Sequence, residues 1–403
     1  MKIKLIALAA SCLCSTAFAQ SDGVTLYGLA DIGLTSVSGY KQGRINTLSS
    51  GIMEGSRWGI KTTEDLGGGY RAITTLESRF ELDTGSTSNR APSGNQLPDR
   101  FTAGLPTAVA GGVTAAIGPT LGVNLANRLF DRQAWLGLVT PVGGFLAGRQ
   151  YTPAFEVLAT FDTMQTQSSL SAAQLIAVPA GLDTRYDNTL QYRIVQGPWN
   201  ASLMYGLGEL DSNAKNRLLG FNAMYKTGGL SAGLGYNTKK NSAGEQALKT
   251  TVLGASYNFG TISVSGAYAR IQEPNPSSGP ELSAGLISGG VPALLVGNII
   301  DRLKQDANLL HMGVRYDMGA AGQVTAAYSK INDKRAANAD TASFGVAYLY
   351  PLSKRTNINA VITRVNNSGT GQIVPGGNGY FGGVAASAGT SATSIALGMR
   401  HNF

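Results

Sequence analysis

From Val24 onward, apolar and polar residues alternate in short runs. In residues 56–85, SRWGIKTTEDLGGGYRAITTLESRFELDTG, Trp58 and Ile60 share one parity while Arg57 and Lys61 share the other. After a Gly-rich break, Ala72, Leu76 and Phe80 alternate with Arg71, Glu77, Arg79 and Glu81. Successive side chains of a strand point to opposite faces, so this is a two-strand ribbon with one apolar and one charged face. The same alternation returns in VTLYGLADIGL, TRYDNTLQYRI, TTVLGASYNF, NLLHMGVRYDM and others, sixteen segments in all. In the last of them Ile395, Leu397, Met399 and Phe403 face one way. Ser394, Ala396, Gly398, Arg400 and Asn402 face the other.

The connections alternate as well. Breaks near 64–69, 140–144, 196–198, 227–229, 260–261, 319–321 and 353–355 are short. Between them fall longer ones at 39–45, 84–127, 153–183, 209–216, 239–247, 272–306, 333–339 and 368–391. Short turns on one side and long loops on the other predict an all-β fold, a sixteen-stranded antiparallel transmembrane β-barrel. An even strand count puts both termini on the short-turn side. A closed barrel pairs every backbone polar group and leaves no edge open to lipid. At sixteen strands it encloses water rather than a packed core. The alternative, a soluble β-sandwich or repeat protein, needs a second apolar face. Here the second face carries Arg, Glu, Asp and Lys on strand after strand.

Composition adds location. Lys2 and Lys4 precede an apolar run to Leu13 and the tripeptide Ala17-Phe18-Ala19, which reads as a secretory signal over residues 1–19. Residues 20–403 then form a single barrel domain. Lipid attachment at Cys12 would ask for Leu where Ala9 stands. Both cysteines, Cys12 and Cys14, lie in the signal, so the exported chain is held together without disulfides. Removing Lys2 and Lys4 takes the net charge from +8 to +6. With export and no basic run, that balance does not point to nucleic acid. The uncharged stretches 101–127 and 283–300 are too rich in Gly to read as membrane helices and are expected as loops.

The segment of residues 56–85, with FDRQAWLGL, GRQYTP, YPLSKRT and the terminal GMRHNF, resembles the general-diffusion porins of Gram-negative outer membranes, most closely the β-proteobacterial group. The resemblance covers residues 20–403. It implies a homotrimer in outer-membrane lipid whose third long loop, residues 153–183, folds into the lumen. Ions and small hydrophilic solutes would pass down their gradients, and Phe403 would be the signal read by the outer-membrane assembly machinery.

A pore filters by diameter and by the charges at its narrowest ring. The resemblance puts Arg57, Arg149 and Arg185 in a wall cluster facing acidic residues on the third loop, which offers Glu156 and Asp162, with Asp183 at its end. By parity Arg57 and Arg185 point inward, with Arg71, Arg79 and Arg193 on the same faces. Arg149 shares parity with Phe145 and Ala147, so its place in the lumen rests on the resemblance alone. Arg132 has the parity of Leu136 and points inward only above the apolar band or through a bulge. Tyr27, Asp31 and Glu77 read as lumen lining. The surplus of arginine implies a modest anion preference, and the alternative is a channel selective for phosphate or carboxylates. The apolar loop 84–127 is expected against a neighbouring subunit.

Catalysis has little support. There is no G-x-S-x-G, H-E-x-x-H or P-loop, and the only histidines are His311, on a lumen parity, and His401, near the membrane edge. An outer-membrane barrel hydrolase would need His311 as its base. No metal or cofactor site is expected from two His and no Cys beyond the signal.

Overall fold

A computed structural model of the chain describes residues 23–176, 182–209 and 215–403; the expected signal, residues 1–19, lies outside them. Sixteen antiparallel staves close on themselves. They are β1 (Gly23–Tyr40), β2 in two pieces (Gly43–Ser50 and Arg57–Gly67), β3 (Tyr70–Arg79), β4 (Gln133–Thr140), β5 (Gly143–Tyr151) and β6 (Arg185–Gln196). Next come β7 (Trp199–Gly206), β8 (Leu218–Thr227), β9 (Leu230–Lys240), β10 (Gln246–Asn258) and β11 (Ile262–Glu273). The ring ends with β12 (Gln305–Asp317), β13 (Gln323–Asp333), β14 (Thr341–Pro351), β15 (Thr356–Asn367) and β16 (Ala392–Asn402). β16 pairs with β1 from Leu29↔Asn402 to Val37↔Ser394. Phe403 extends that seam, its backbone exchanging two 3.0 Å hydrogen bonds with Gly28.

The burial pattern is that of a soluble protein turned inside out. Leu34, Leu136 and Leu397 are 66%, 62% and 57% exposed on the outer surface, while Asp31, Thr363 and Ser394 are buried inside. In water that outer belt would be strongly unfavourable, at about 25 cal/mol per Å² of apolar area. Against hydrocarbon it is the expected face of a membrane barrel. Near the short-turn end, the rings of Trp199 and Tyr225 meet at a tilt with centroids 4.8 Å apart, as do those of Tyr257 and Phe259 at 4.5 Å, a girdle suited to the membrane–water boundary.

The first connection differs from expectation. The expected long loop at 39–45 is a tight turn at residues 41–42, flanked by Gly39 (φ +95°) and Gly43 (φ +88°). The irregular segment lies instead at residues 51–56. There it interrupts β2, whose two pieces both pair with β1.

The third loop lies within the barrel. Its helix α2 (Pro153–Phe161) starts on Pro153 and buries Ala154, Val157, Leu158 and Phe161, an i, i+3, i+4, i+7 stripe. These pack on the inner wall of β8, β9 and β10 and join a buried cluster that includes Val252, Ala267, Ala269, Ile271 and Leu309. The wall makes room with glycine, since a Cβ on Gly254 would stand 2.3 Å from the Phe161 ring.

Two outer loops meet across the mouth. The β3–β4 loop carries a 3₁₀ turn (Asp99–Phe101) and helix α1 (Thr107–Ile117). The β11–β12 loop carries α3 (Gly279–Ser288) and α4 (Ala293–Leu303). Leu97, Phe101 and Val113 of the first bury against Leu286, Val296, Ile299 and Leu303 of the second. In the closed ring these two hairpins stand on opposite sides, so their union is a strap over the opening. The expected loop at 283–300 carries helices α3 and α4, and some apolar residues of the 84–127 loop find partners in their own chain.

Candidate functional site: an arginine ladder facing inserted loops

Four of the anticipated arginines gather on the inner wall of β2–β6. The Arg57 Nη2 donates to Glu54 Oε1 at 2.8 Å, and its Nε stands 3.6 Å from Glu77 Oε2. Arg132 Nε donates to Glu77 Oε1 at 2.8 Å, while the Tyr27 hydroxyl donates to Glu77 Oε2 at 3.0 Å. Arg79 pairs with Asp131 at 3.1 Å and Glu81 at 3.4 Å, and it donates to the Gly379 carbonyl at 2.6 Å. Arg400, from β16, also pairs with Glu54. Arg132 stands just before β4 begins, which frees it from strand parity and lets it turn inward.

Arg185 is the exception in this network. Its Nη2 donates to the Tyr151 hydroxyl at 2.9 Å and its guanidinium lies 4.5 Å over the Tyr151 ring. Its Nε has no partner among the described residues. Five guanidinium groups (Arg57, Arg79, Arg132, Arg185, Arg400) therefore face four carboxylates, and Arg185 is the one that forms no ion pair with a carboxylate among the described residues.

Arg149 stands apart. Gly148 (φ +128°) marks a register slip against β6, but the alternation runs on through it: Gln150 stays inward, and Arg149, opposite Ala134, lies on the face of Leu136 and Phe145. There it pairs with Asp187 at 2.5 Å, which also binds Arg128 at 2.9 Å. Strand parity, not the resemblance, describes its position.

The acidic residues foreseen on the third loop serve as anchors. Glu156 pairs with Arg193 and accepts from Asn222 Nδ2 at 2.8 Å, tying α2 to the wall. Asp162 accepts the Met164 and Thr166 amides at 3.0 Å each and the Ser171 hydroxyl at 2.5 Å, closing the turn after α2. His311 joins them: its Nε2 accepts the Thr163 amide at 2.8 Å and its Nδ1 meets Ser329 Oγ at 2.8 Å. An acceptor at Nε2 leaves the proton on Nδ1, so this histidine is a neutral clamp on the loop. Arg315 Nη2 adds a bond to the Thr163 carbonyl at 2.5 Å.

The carboxylates that do face the ladder come from Glu54, Glu77, Glu81 and Asp131. Of these, the parity of Glu77 marked it as lumen-facing. Glu54 was hidden because it lies in the irregular segment. That segment is held by Asp31, whose carboxylate accepts the backbone amides of Ile52 (2.9 Å), Met53 (3.1 Å) and Glu54 (2.9 Å). Asp31 is thus an anchor rather than simple lining. The last loop enters too: Asn378 Oδ1 accepts from Gly55, and Gln174 donates to the Gly377 carbonyl at 3.0 Å. The backbones of Gly51 and Gly379 approach so closely that a Cβ on Gly51 would lie 2.6 Å from the Gly379 Cα. Three inserted segments, not one, narrow this barrel.

A sixteen-stave barrel with an apolar outside, a charged inside and loops folded into the lumen is the architecture of a membrane pore. The family model of the Gram-negative porins matches residues 5–370. The chain belongs to the Gram-negative porin family. This porin is 26% identical over its full length to an outer membrane porin protein of Bordetella pertussis, of which the match also covers all. It is 27% identical, again with both chains fully covered, to outer membrane porin protein 32 of Delftia acidovorans. Among solved structures, the porin matches an anion-selective porin from Comamonas acidovorans with a TM-score of 0.71 and 23% identity, over 95% of this chain and all of that one. It is an outer-membrane diffusion channel, and its family and fold point away from catalysis.

Proposed function

We propose that this porin passes ions and small hydrophilic solutes with a preference for anions, filtered at Arg57, Arg79, Arg132 and Arg185, and that it works as a homotrimer without enzymatic activity. The observation that carries the preference is Arg185, a guanidinium bonded to the Tyr151 hydroxyl and stacked on its ring, with no carboxylate ion pair among the described residues. Its neighbours Arg57 and Arg132 share Glu77, and Arg57 shares Glu54 with Arg400, so the ladder's five guanidinium groups still outnumber its four carboxylates. A fixed positive ring in a narrow, low-dielectric passage attracts anions and repels cations. Salt weakens the effect, since the screening length is about 10 Å at roughly 0.1 M. The anion selectivity named for the Comamonas porin agrees with this reading.

The test is the zero-current potential of purified protein in a planar bilayer under a steep KCl gradient. The expected sign is that of an anion-preferring pore, and Arg185→Gln moves the potential toward zero. A cation-side potential in the unaltered protein overturns the reading.

Trimerisation is supported by the family and by an apolar groove of about 590 Å³ on the outer face of β3–β7, shaped by small residues such as Ala72, Gly137 and Ala147. We also assign Phe403 to recognition by the assembly machinery. Its ring is half-exposed at the seam, and Phe403→Ser is expected to lower the amount of porin reaching the outer membrane.

A further inference from the structure

A second cationic feature lies outside the lumen. On β10, β11 and β12, Lys249, Gln272 and Asp306 form one lateral row of paired residues. They continue the outward parity of Leu253, Tyr268 and Leu310, which are the exposed, lipid-facing residues four positions further along each strand. At about 3.3 Å per residue, the row stands roughly 13 Å above those three, at the outer end of the barrel.

There it floors a cavity of about 440 Å³, lined also by Arg100, Arg302, Lys304 and Arg335. The cavity's own carboxylates are engaged: Asp306 pairs with Arg270, and Asp301 with Lys304 at 2.8 Å. Arg302 is fixed by the Phe101 carbonyl at 3.1 Å, whereas Arg335, bonded to the Lys304 carbonyl, already gives its fork to the Asp333 carboxylate (Nε and Nη2 each at 2.8 Å), so the cations left for a ligand are Arg100, Lys249 and Arg302. Arg100 is brought in by the strap. It stacks 4.5 Å from the Phe101 ring and pairs with no carboxylate among the described residues, and its Nε has no partner there either. Burial and the nearby Arg335 guanidinium, partly offset by Asp333, depress Arg100 to about 10, which leaves it charged at neutral pH.

The flank beside the cavity is also basic. Lys330 and Arg364 point outward from β13 and β15, in the same direction as Phe344, and both are exposed.

We propose that this rim cavity binds a phosphate group, that of a phosphate-bearing lipid headgroup in the outer leaflet. Guanidinium forks match phosphate oxygens, and a site on the lipid-facing flank just above the apolar belt is reached from the leaflet more directly than from the lumen. The groove assigned to the trimer contact lies on other staves, β3–β7, so this flank stays open to lipid. The site is independent of ion selectivity, because none of its residues belongs to the ladder.

The experiment uses full-length porin in a neutral detergent and two probes at equal ionic strength, short-chain phosphatidic acid and inorganic phosphate. Saturable binding is read by native mass spectrometry and by thermal shift. Phosphatidic acid is expected to bind, and Lys249→Gln and Arg100→Gln each to weaken it by about tenfold. Arg100→Lys should retain most of the binding, and Arg57→Gln, in the lumen, all of it. Lys249→Gln leaves the strap untouched, so it reports on the site even where Arg100→Gln disturbs the fold. Equal binding of inorganic phosphate overturns the lipid assignment. Absence of saturable binding to either probe, or loss on Arg57→Gln alone, overturns the site.

Discussion

Asp31 shows how far a single residue's role depends on what surrounds it. Its parity puts it inside the barrel, and a carboxylate inside a porin reads as lining. In the fold it accepts three consecutive backbone amides and holds the 51–56 segment in the lumen. Asp31→Ala leaves those amides unsatisfied and is expected to cost about 3 kcal/mol, seen as a lower melting temperature and noisier open-channel current. Glu54, carried by that segment, neutralises Arg57 and Arg400. Glu54→Gln keeps the size and removes the charge, so the zero-current potential should move further toward the anion side. An unchanged potential would mean that Glu54 lies outside the ion path. Parity sufficed for Arg57, Arg79 and Arg185, because regular strands obey a period of two. It could not place Glu54 or turn Arg132 inward, because neither sits in regular strand.

At the level of elements, the seat of α2 decides how wide the passage is. Phe161 fills a groove that exists because Gly254 and its cross-strand partner Gly233 lack side chains. Phe161→Ala removes the largest contact and is expected to destabilise the loop by about 3–5 kcal/mol, with a broadened distribution of conductance steps. A sharp, unaltered conductance would show that the polar anchors (Glu156 with Arg193, His311 with Thr163) hold the helix unaided. The helix itself was not legible. PAFEVLATF has an apolar stripe, but only the wall opposite gives that stripe something to bury against. Arg149 teaches the reverse lesson, since plain alternation along β5 described it and is enough to keep it out of the ladder.

At the scale of the whole molecule, the strap is the feature with the greatest reach. It joins loops from opposite sides of the ring through a small apolar core, so bulky solutes must pass around it. Replacing residues 277–303 by a short Gly-Ser linker is expected to speed uptake of larger oligosaccharides in a liposome-swelling assay while leaving the sign of the selectivity unchanged. Equal rates would show that the inner constriction alone sets the size limit. The sequence by itself determined the barrel, its sixteen staves and the sidedness of its turns, because strand alternation and turn length are local properties written residue by residue. It also determined which faces carry arginine. Tertiary structure alone decided that three segments enter the lumen, which carboxylates meet the arginines, and that two loops bridge the mouth. Those outcomes depend on contacts between residues such as Phe101 and Arg302, or Gln174 and Gly377, about two hundred positions apart, and no local pattern encodes such a meeting.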